Sequence, residues 1–204
     1  QLFIVVALAD PPPRTGFVER AMVAAYAGGL QPILCLTKHD LAAESEFAAA
    51  FDDLDLTIIY GGIDDPSEPV LDLLTDRLTA FIGHSGVGKS TLVNRLVPDA
   101  DRAVGEVSGV GKGKHTSTQS VALPLPNGGW VIDTPGVRSI SLWDVDDGMA
   151  LTFPEIEELV DSCRFADCAH QAEPGCAVKE ALADGRIDPA RFASWEQLQR
   201  ELAS

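Results

Sequence analysis

The sequence predicts an α/β fold: a six-stranded, mostly parallel sheet followed by a small helical, cysteine-rich unit. Three observations predict it. Short β-rich apolar runs alternate with helical stretches up to about residue 148. A glycine-rich stretch, "GHSGVGKS", joins one of those runs to a helix-patterned segment. Beyond 148 the strand signals stop, and three of the four cysteines gather with a histidine between 163 and 176.

The elements follow in order. Strands are expected near 2–8, 32–36, 56–60, 79–83, 118–124 and 129–133, where β-branched and aliphatic residues run together. The last two are joined by "PNGG", a hairpin turn, which makes one edge strand antiparallel. Helical patterning covers 17–27, 41–51, 67–78 and 89–97, the third opening on a D-P-S-E sequence suited to an N-terminal cap. Charged helical stretches at 154–160, 177–184 and 194–203 follow. A boundary near 148, at "DVDDG", divides the chain into residues 1–148 and 149–204.

Composition limits the function. With 46 % hydrophobic residues the chain can build a core, yet its longest apolar run, "LFIVVALA", is far short of the ~20 residues of a membrane helix. A soluble, cytoplasmic, monomeric protein is expected. A formal net charge of −16 opposes indiscriminate attraction to nucleic acid, so any RNA contact must be local. The chain opens on Gln1 inside a strand-like run, which leads us to expect a preceding segment.

The strongest motif is G-x-x-x-x-G-K-[ST] in a strand–loop–helix context. Residues Gly83, Ser85, Gly86, Val87, Gly88, Lys89, Ser90 and Thr91 are therefore candidate nucleotide contacts. Glycines let backbone N–H groups turn toward an anion, Lys89 supplies charge to the β- and γ-phosphates, and Ser90 would ligate Mg²⁺. "DTPG" ends the strand "WVI". There Asp133 can hold Mg²⁺ through water and the Gly136 N–H can meet the γ-phosphate, as in a switch II. Between them "GVGKGKHTSTQS" offers a switch I hydroxyl, Thr116 first and Thr118 second.

Base selection would come from "TKHD", a variant of N-K-x-D. Asp40 can accept two hydrogen bonds from guanine N1–H and N2–H₂, the Lys38 stem can pack over the base, and Thr37 stands where Asn is usual. The companion Ser-Ala pair is replaced by Gly61-Gly62, whose backbone is left as the only contact it can offer. TKHD precedes the phosphate loop, the reverse of the usual order. A circularly permuted Ras-like P-loop G domain resolves this, because sheet strands are placed by packing and residues 63–78 can join the former termini.

The last motif is C-x4-C-x-H-x5-C: Cys163, Cys168, His170 and Cys176 form a closed set for one structural Zn²⁺. The fourth cysteine, Cys35 in "PILCL", reads as a core residue.

Together, T-K-x-D, G-x-S-G-V-G-K-S-T, G-K-H-T-S-T, D-T-P-G and the cysteine motif resemble the bacterial ribosome small subunit-dependent GTPase family, RsgA, also called YjeQ or EngC. The resemblance covers essentially the whole chain. It implies GTP hydrolysis stimulated by the small ribosomal subunit and its rRNA during late subunit maturation, and an N-terminal oligonucleotide-binding barrel. Thr37 and Gly61-Gly62 depart from the family pattern. Val137 occupies the place of a Ras-like water-orienting glutamine and can neither orient nor accept from water, so slow intrinsic turnover is expected, with His115 either the catalytic residue once the subunit orders its loop or a contact to RNA phosphate beside Lys112 and Lys114. The alternatives are a nucleotide-dependent RNA- or ribosome-binding module with incidental hydrolysis, and a P-loop ATPase.

Overall fold

The structure is a computed structural model that describes residues 1–42, 46–97, 120–134 and 145–202. The chain packs as two compact units, Gln1–Val18 with Leu30–Ile140, and Glu19–Gly29 with Ser141–Ser204.

The first unit is built on β1 (Leu2–Ala7), β2 (Pro32–Thr37), β3 (Thr57–Tyr60), β4 (Leu78–Ile82), β5 (Val121–Pro124) and β6 (Trp130–Asp133). These form one sheet in the order β3-β2-β1-β4-β6-β5. All neighbours are parallel except β5 and β6, which pair antiparallel as the PNGG hairpin requires. Every residue of β1 and β2 is buried, which is why both read as unbroken apolar runs and not as alternating patterns. Phe3 stacks on Phe81 of the neighbouring β4 at 4.5 Å between ring centroids. On one face, Phe3, Val5, Ile33 and Cys35 pack against Leu74 of α3 (Glu68–Leu74) and Leu92 of α4 (Lys89–Leu96). Cys35 is fully buried, and desolvation, then the charge of Asp65, drives its thiol pKa upward. It is a core residue.

Strand order reverses between β1 and β4, so the loops after β1, β2, β3, β4 and β6 all leave the carboxyl edge of the sheet around that switch point. That topology explains the motif order. The chain enters at the centre, runs outward to β3, and returns through α3 to β4, so motifs far apart in sequence open onto one edge.

The second unit contains α5 (Asp146–Thr152), α6 (Pro154–Val160), α7 (Ala177–Ala183) and α8 (Pro189–Leu202), with the later part of α1 (Thr15–Ala27). Val23, Met149, Phe153, Ile156, Val178 and Trp195 form its core. The expected boundary near 148 lies inside α5. "DVDDG" reads as a linker because glycine weakens a helix, but Gly148 lies so close to α1 that a Cβ there would be 2.3 Å from the Val23 carbonyl oxygen. Close packing supports a helix that propensity disfavours.

Other elements differ from expectation for local reasons. The helix expected over 67–78 ends at Leu74, where the Thr75 hydroxyl donates back to the Leu71 carbonyl (2.9 Å) and Asp76 adopts φ 56°. Ser67 stands at its N-cap position, but its hydroxyl accepts from Arg95 at 3.2 Å instead of capping. The expected 41–51 helix is a 3₁₀ turn over His39–Leu41 and a short α2 (Glu46–Ala49). α8 begins earlier than 194, because Asp188 accepts from the Ala190 and Arg191 N–H groups (2.7 and 3.2 Å) directly before Pro189.

Candidate functional site

The phosphate loop leaves the end of β4 and turns into α4. Gly88 caps that helix at φ 91° and Gly86 has φ 85°, conformations glycine adopts without the Cβ penalty. Gly83 passes so close to β1 that a Cβ would lie 2.7 Å from the Val5 carbonyl oxygen. Ser85, Gly86, Ser90 and Thr91 are exposed, whereas the Val87 side chain belongs to the core, leaving its N–H as the group it can offer. Lys89 is only 6 % exposed. Its ammonium donates to Asp133 and to the Thr134 carbonyl (2.5 Å), while the Thr134 hydroxyl donates to Phe81 O at 2.5 Å. The start of DTPG is thus fastened to β4, and Asp133 stands beside the lysine that the motif assigns to phosphates.

TKHD follows β2. Thr37 is 3 % exposed and its hydroxyl donates to the Val87 carbonyl at 2.5 Å. Its one donor therefore braces the base-side loop against the phosphate loop. Lys38 takes φ 53°, and its ammonium donates to the Asp10 carbonyl in the loop after β1. Asp40 is exposed in the 3₁₀ turn. It opens onto a cavity of about 230 Å³, bounded also by Lys38, Gly61, Gly62, Gly88 and Thr91. One cavity therefore spans from the candidate base-reading carboxylate to the first turn of the phosphate-loop helix.

Two features of this cavity are absent from the motif reading. The Gly61 N–H is bonded to Leu36 O (3.0 Å) and the Gly62 N–H to Asp65 Oδ2 (2.6 Å), so the two amides expected to substitute for a Ser-Ala pair are taken up within the chain. Arg95 of α4 donates to the carbonyls of Gly62 and Asp65. Burial alone would raise the Asp65 pKa, but the hydrogen bonds from His39 and from the Gly62 N–H, with the charges of His39 and Arg95, outweigh it and hold it below the usual carboxylate value. Nothing local in D-D-P-S marks Asp65 for this role, and Arg95 reads as an ordinary helix-end cation.

In the second unit, Cys163, Cys168, His170 and Cys176 bring their ligand atoms within 4.8 Å of one another. Sγ of Cys163 and of Cys176 each lie 3.5 Å from His170 Nδ1 and 3.8 Å apart. A tetrahedron with ~2.3 Å Zn–S and ~2.0–2.1 Å Zn–N bonds has edges of about 3.8 Å (S–S) and about 3.6 Å (S–N), so the Cys163, Cys176 and His170 donors fit three of its corners, with Cys168 within 4.8 Å of them. Desolvation lowers the His170 pKa and keeps the imidazole in its ligating form. Burial disfavours a Cys163 thiolate, but N–H groups of Val178 and Ala177 outweigh it and lower its pKa; burial, then the neighbouring thiols, push Cys168 up to about 11. Glu173, a residue the motif reading passes over, accepts from the N–H groups of Ala169, Gln171 and Ala172 (3.1, 2.9 and 3.0 Å), folding the loop between ligands. His115, Thr116, Thr118, Gly136 and Val137 lie outside the described residues.

A permuted sheet order with a phosphate loop, Asp133-Thr134 and TKHD on one edge defines a circularly permuted P-loop GTPase. The sequence profile of the RsgA GTPase family matches residues 1–143, and the chain belongs to that family, whose members are GTP hydrolases. It is 40 % identical over 211 residues to a small ribosomal subunit biogenesis GTPase RsgA of Gemmatimonas aurantiaca, covering 99 % of this chain and 68 % of that protein. It is 43 % identical over 194 residues to the RsgA of Opitutus terrae, covering 91 % of this chain and 53 % of that protein. Among solved structures it resembles YjeQ from Thermotoga maritima (TM-score 0.72, 25 % identity, 100 % of this chain and 71 % of that one). It also resembles YloQ, described as a circularly permuted GTPase (TM-score 0.69, 29 % identity, 100 % and 68 %). Among the described residues no helix is long and apolar enough to cross a membrane.

Proposed function

We propose that this chain is the catalytic part of a GTPase that the small ribosomal subunit activates, acting in the cytoplasm as a monomer on the subunit and its rRNA late in maturation. In this reading Asp40 selects guanine, the N–H groups from Gly83 to Thr91 and the Lys89 ammonium hold the phosphates, and Ser90 and Asp133 hold Mg²⁺, which neutralises charge developing on the phosphates. Thr116 and Gly136 report the γ-phosphate, and His115 acts on the hydrolytic step when the subunit orders its loop. Residues 149–204 form a helical unit around one structural Zn²⁺ ligated by Cys163, Cys168, His170 and Cys176. Hydrolysis would be coupled to that unit through the segment after Asp133.

The observation that carries the reading is the single cavity bounded by Asp40 on one side and by Gly88 and Thr91 on the other. The names of the relatives, each a small ribosomal subunit biogenesis GTPase, support the choice of partner. The test is GTP turnover with and without purified small subunits. A rise of tenfold or more is expected with small subunits and none with large ones; equal rates would leave a nucleotide-dependent binding module as the better account. Competition of ATP against GDP separates both from an ATPase, since an adenine lacks the donor pair that Asp40 accepts.

A further inference from the structure

We propose that His39 and Asp65 form a clamp that positions Asp40 for guanine, making His39 a specificity-determining positioning residue; this rests on the guanine-binding reading above. The geometry is direct. His39 immediately precedes Asp40 in the 3₁₀ turn, and its Nε2 lies 2.8 Å from Asp65 Oδ2. The same oxygen accepts the Gly62 N–H at 2.6 Å, so one carboxylate oxygen ties the loop after β2 to the loop after β3. Both loops wall the cavity, through Asp40 and through Gly61, Gly62 and Ile63. Arg95 holds the second loop by the Gly62 and Asp65 carbonyls, so that loop is an anchor to which His39 ties the base-reading turn.

One further contact aims the imidazole. His39 meets Tyr60 edge-on at 5.3 Å between ring centroids, at the end of β3. A Cβ built on Gly62 would lie 3.0 Å from His39 Nε2 and 3.1 Å from Asp65 Oδ2, so a side chain at position 62 would crowd the pair. A turn of three residues with no buried side chain has little packing of its own. A charge-assisted hydrogen bond between the two loops supplies the constraint that places Asp40 in the cavity wall.

The test is the affinity of the full chain for GDP and for ADP in wild type, His39→Ala, Asp65→Ala, the double variant and His39→Gln, with thermal midpoints measured alongside. Because ADP shares the phosphates but not the donor pair read by Asp40, the clamp predicts that each single alanine variant weakens GDP about tenfold and leaves ADP unchanged. It further predicts that the double variant is no worse than either, and that His39→Gln, which keeps a donor near the Nε2 position, recovers most of the preference. Parallel loss of both nucleotides, additive losses, or an undiminished GDP preference would overturn the clamp. A wild type that binds GDP no better than ADP would overturn the guanine reading itself, and the clamp with it.

Discussion

Arg191→Met should destabilise the second unit by about 3–5 kcal/mol near neutral pH, and the loss should shrink on acidification. The guanidinium donates to Glu155 through two bonds (2.8 and 3.0 Å), to Glu19 Oε1 (3.0 Å) and to the Thr152 carbonyl (2.7 Å), and lies 4.7 Å from the Phe153 ring centroid. Side chains of Arg191 and Glu19 are 12 % and 2 % exposed, so the variant leaves a buried carboxylate without its counter-charge, the case in which breaking one partner costs about 3–5 kcal/mol. Burial already raises the Glu19 pKa, against partial offsets from the Ser194 hydroxyl and from Arg191; without the guanidinium it rises further. A carboxyl whose folded pKa exceeds its unfolded value binds more protons when folded, so stability falls as pH rises between the two values and levels off above the folded one. The deficit against wild type is therefore larger at pH 8 than at pH 5, and Glu19→Gln in the same background should recover part of it. Urea unfolding followed by circular dichroism from pH 5 to 8 tests this. A pH-independent deficit, or one below about 1 kcal/mol, would refute the assignment of Glu19 as the stranded charge.

Four further outcomes are expected. Purified protein should carry one zinc per chain by elemental analysis. Cys176→Ser should lose the metal and helical signal from the second unit while GDP affinity stays within about threefold of wild type, because the sheet core is a separate cluster. Gly148→Ala, which helix propensity alone would favour, should instead lower stability by about 1–3 kcal/mol because its Cβ meets the Val23 carbonyl. For His115→Ala, subunit-stimulated turnover per bound complex should fall at least tenfold with little change in subunit affinity; lost affinity with normal turnover would assign the histidine to RNA contact instead.

Features carried by adjacent residues were legible in the sequence. The phosphate loop, DTPG, TKHD and the group of three cysteines and a histidine are each defined by spacing within a short stretch, and a permuted sheet follows from their order alone. The interactions that hold these motifs together were not legible. Asp65 reaches back 26 residues to His39 and Arg95 reaches back 33 to Gly62, and no local pattern distinguishes either side chain from a solvated charge. Arg191 joins Glu19 across 172 positions, so the packing of the later part of α1 with the C-terminal helices leaves no sequence signature. Thr37 shows the same limit differently. It reads as a shortened base contact, but the fold uses its hydroxyl to fasten one loop to another.

The most direct test exchanges the hydrogen-bonding sense of a single group. Asp40→Asn replaces an acceptor with a donor, so it should weaken GDP by about a hundredfold or more while strengthening xanthosine diphosphate, whose C2 carbonyl can accept from the new amide. A variant that keeps its GDP affinity, or loses both nucleotides equally, would contradict the account that Asp40 reads the base of a nucleotide held by Lys89.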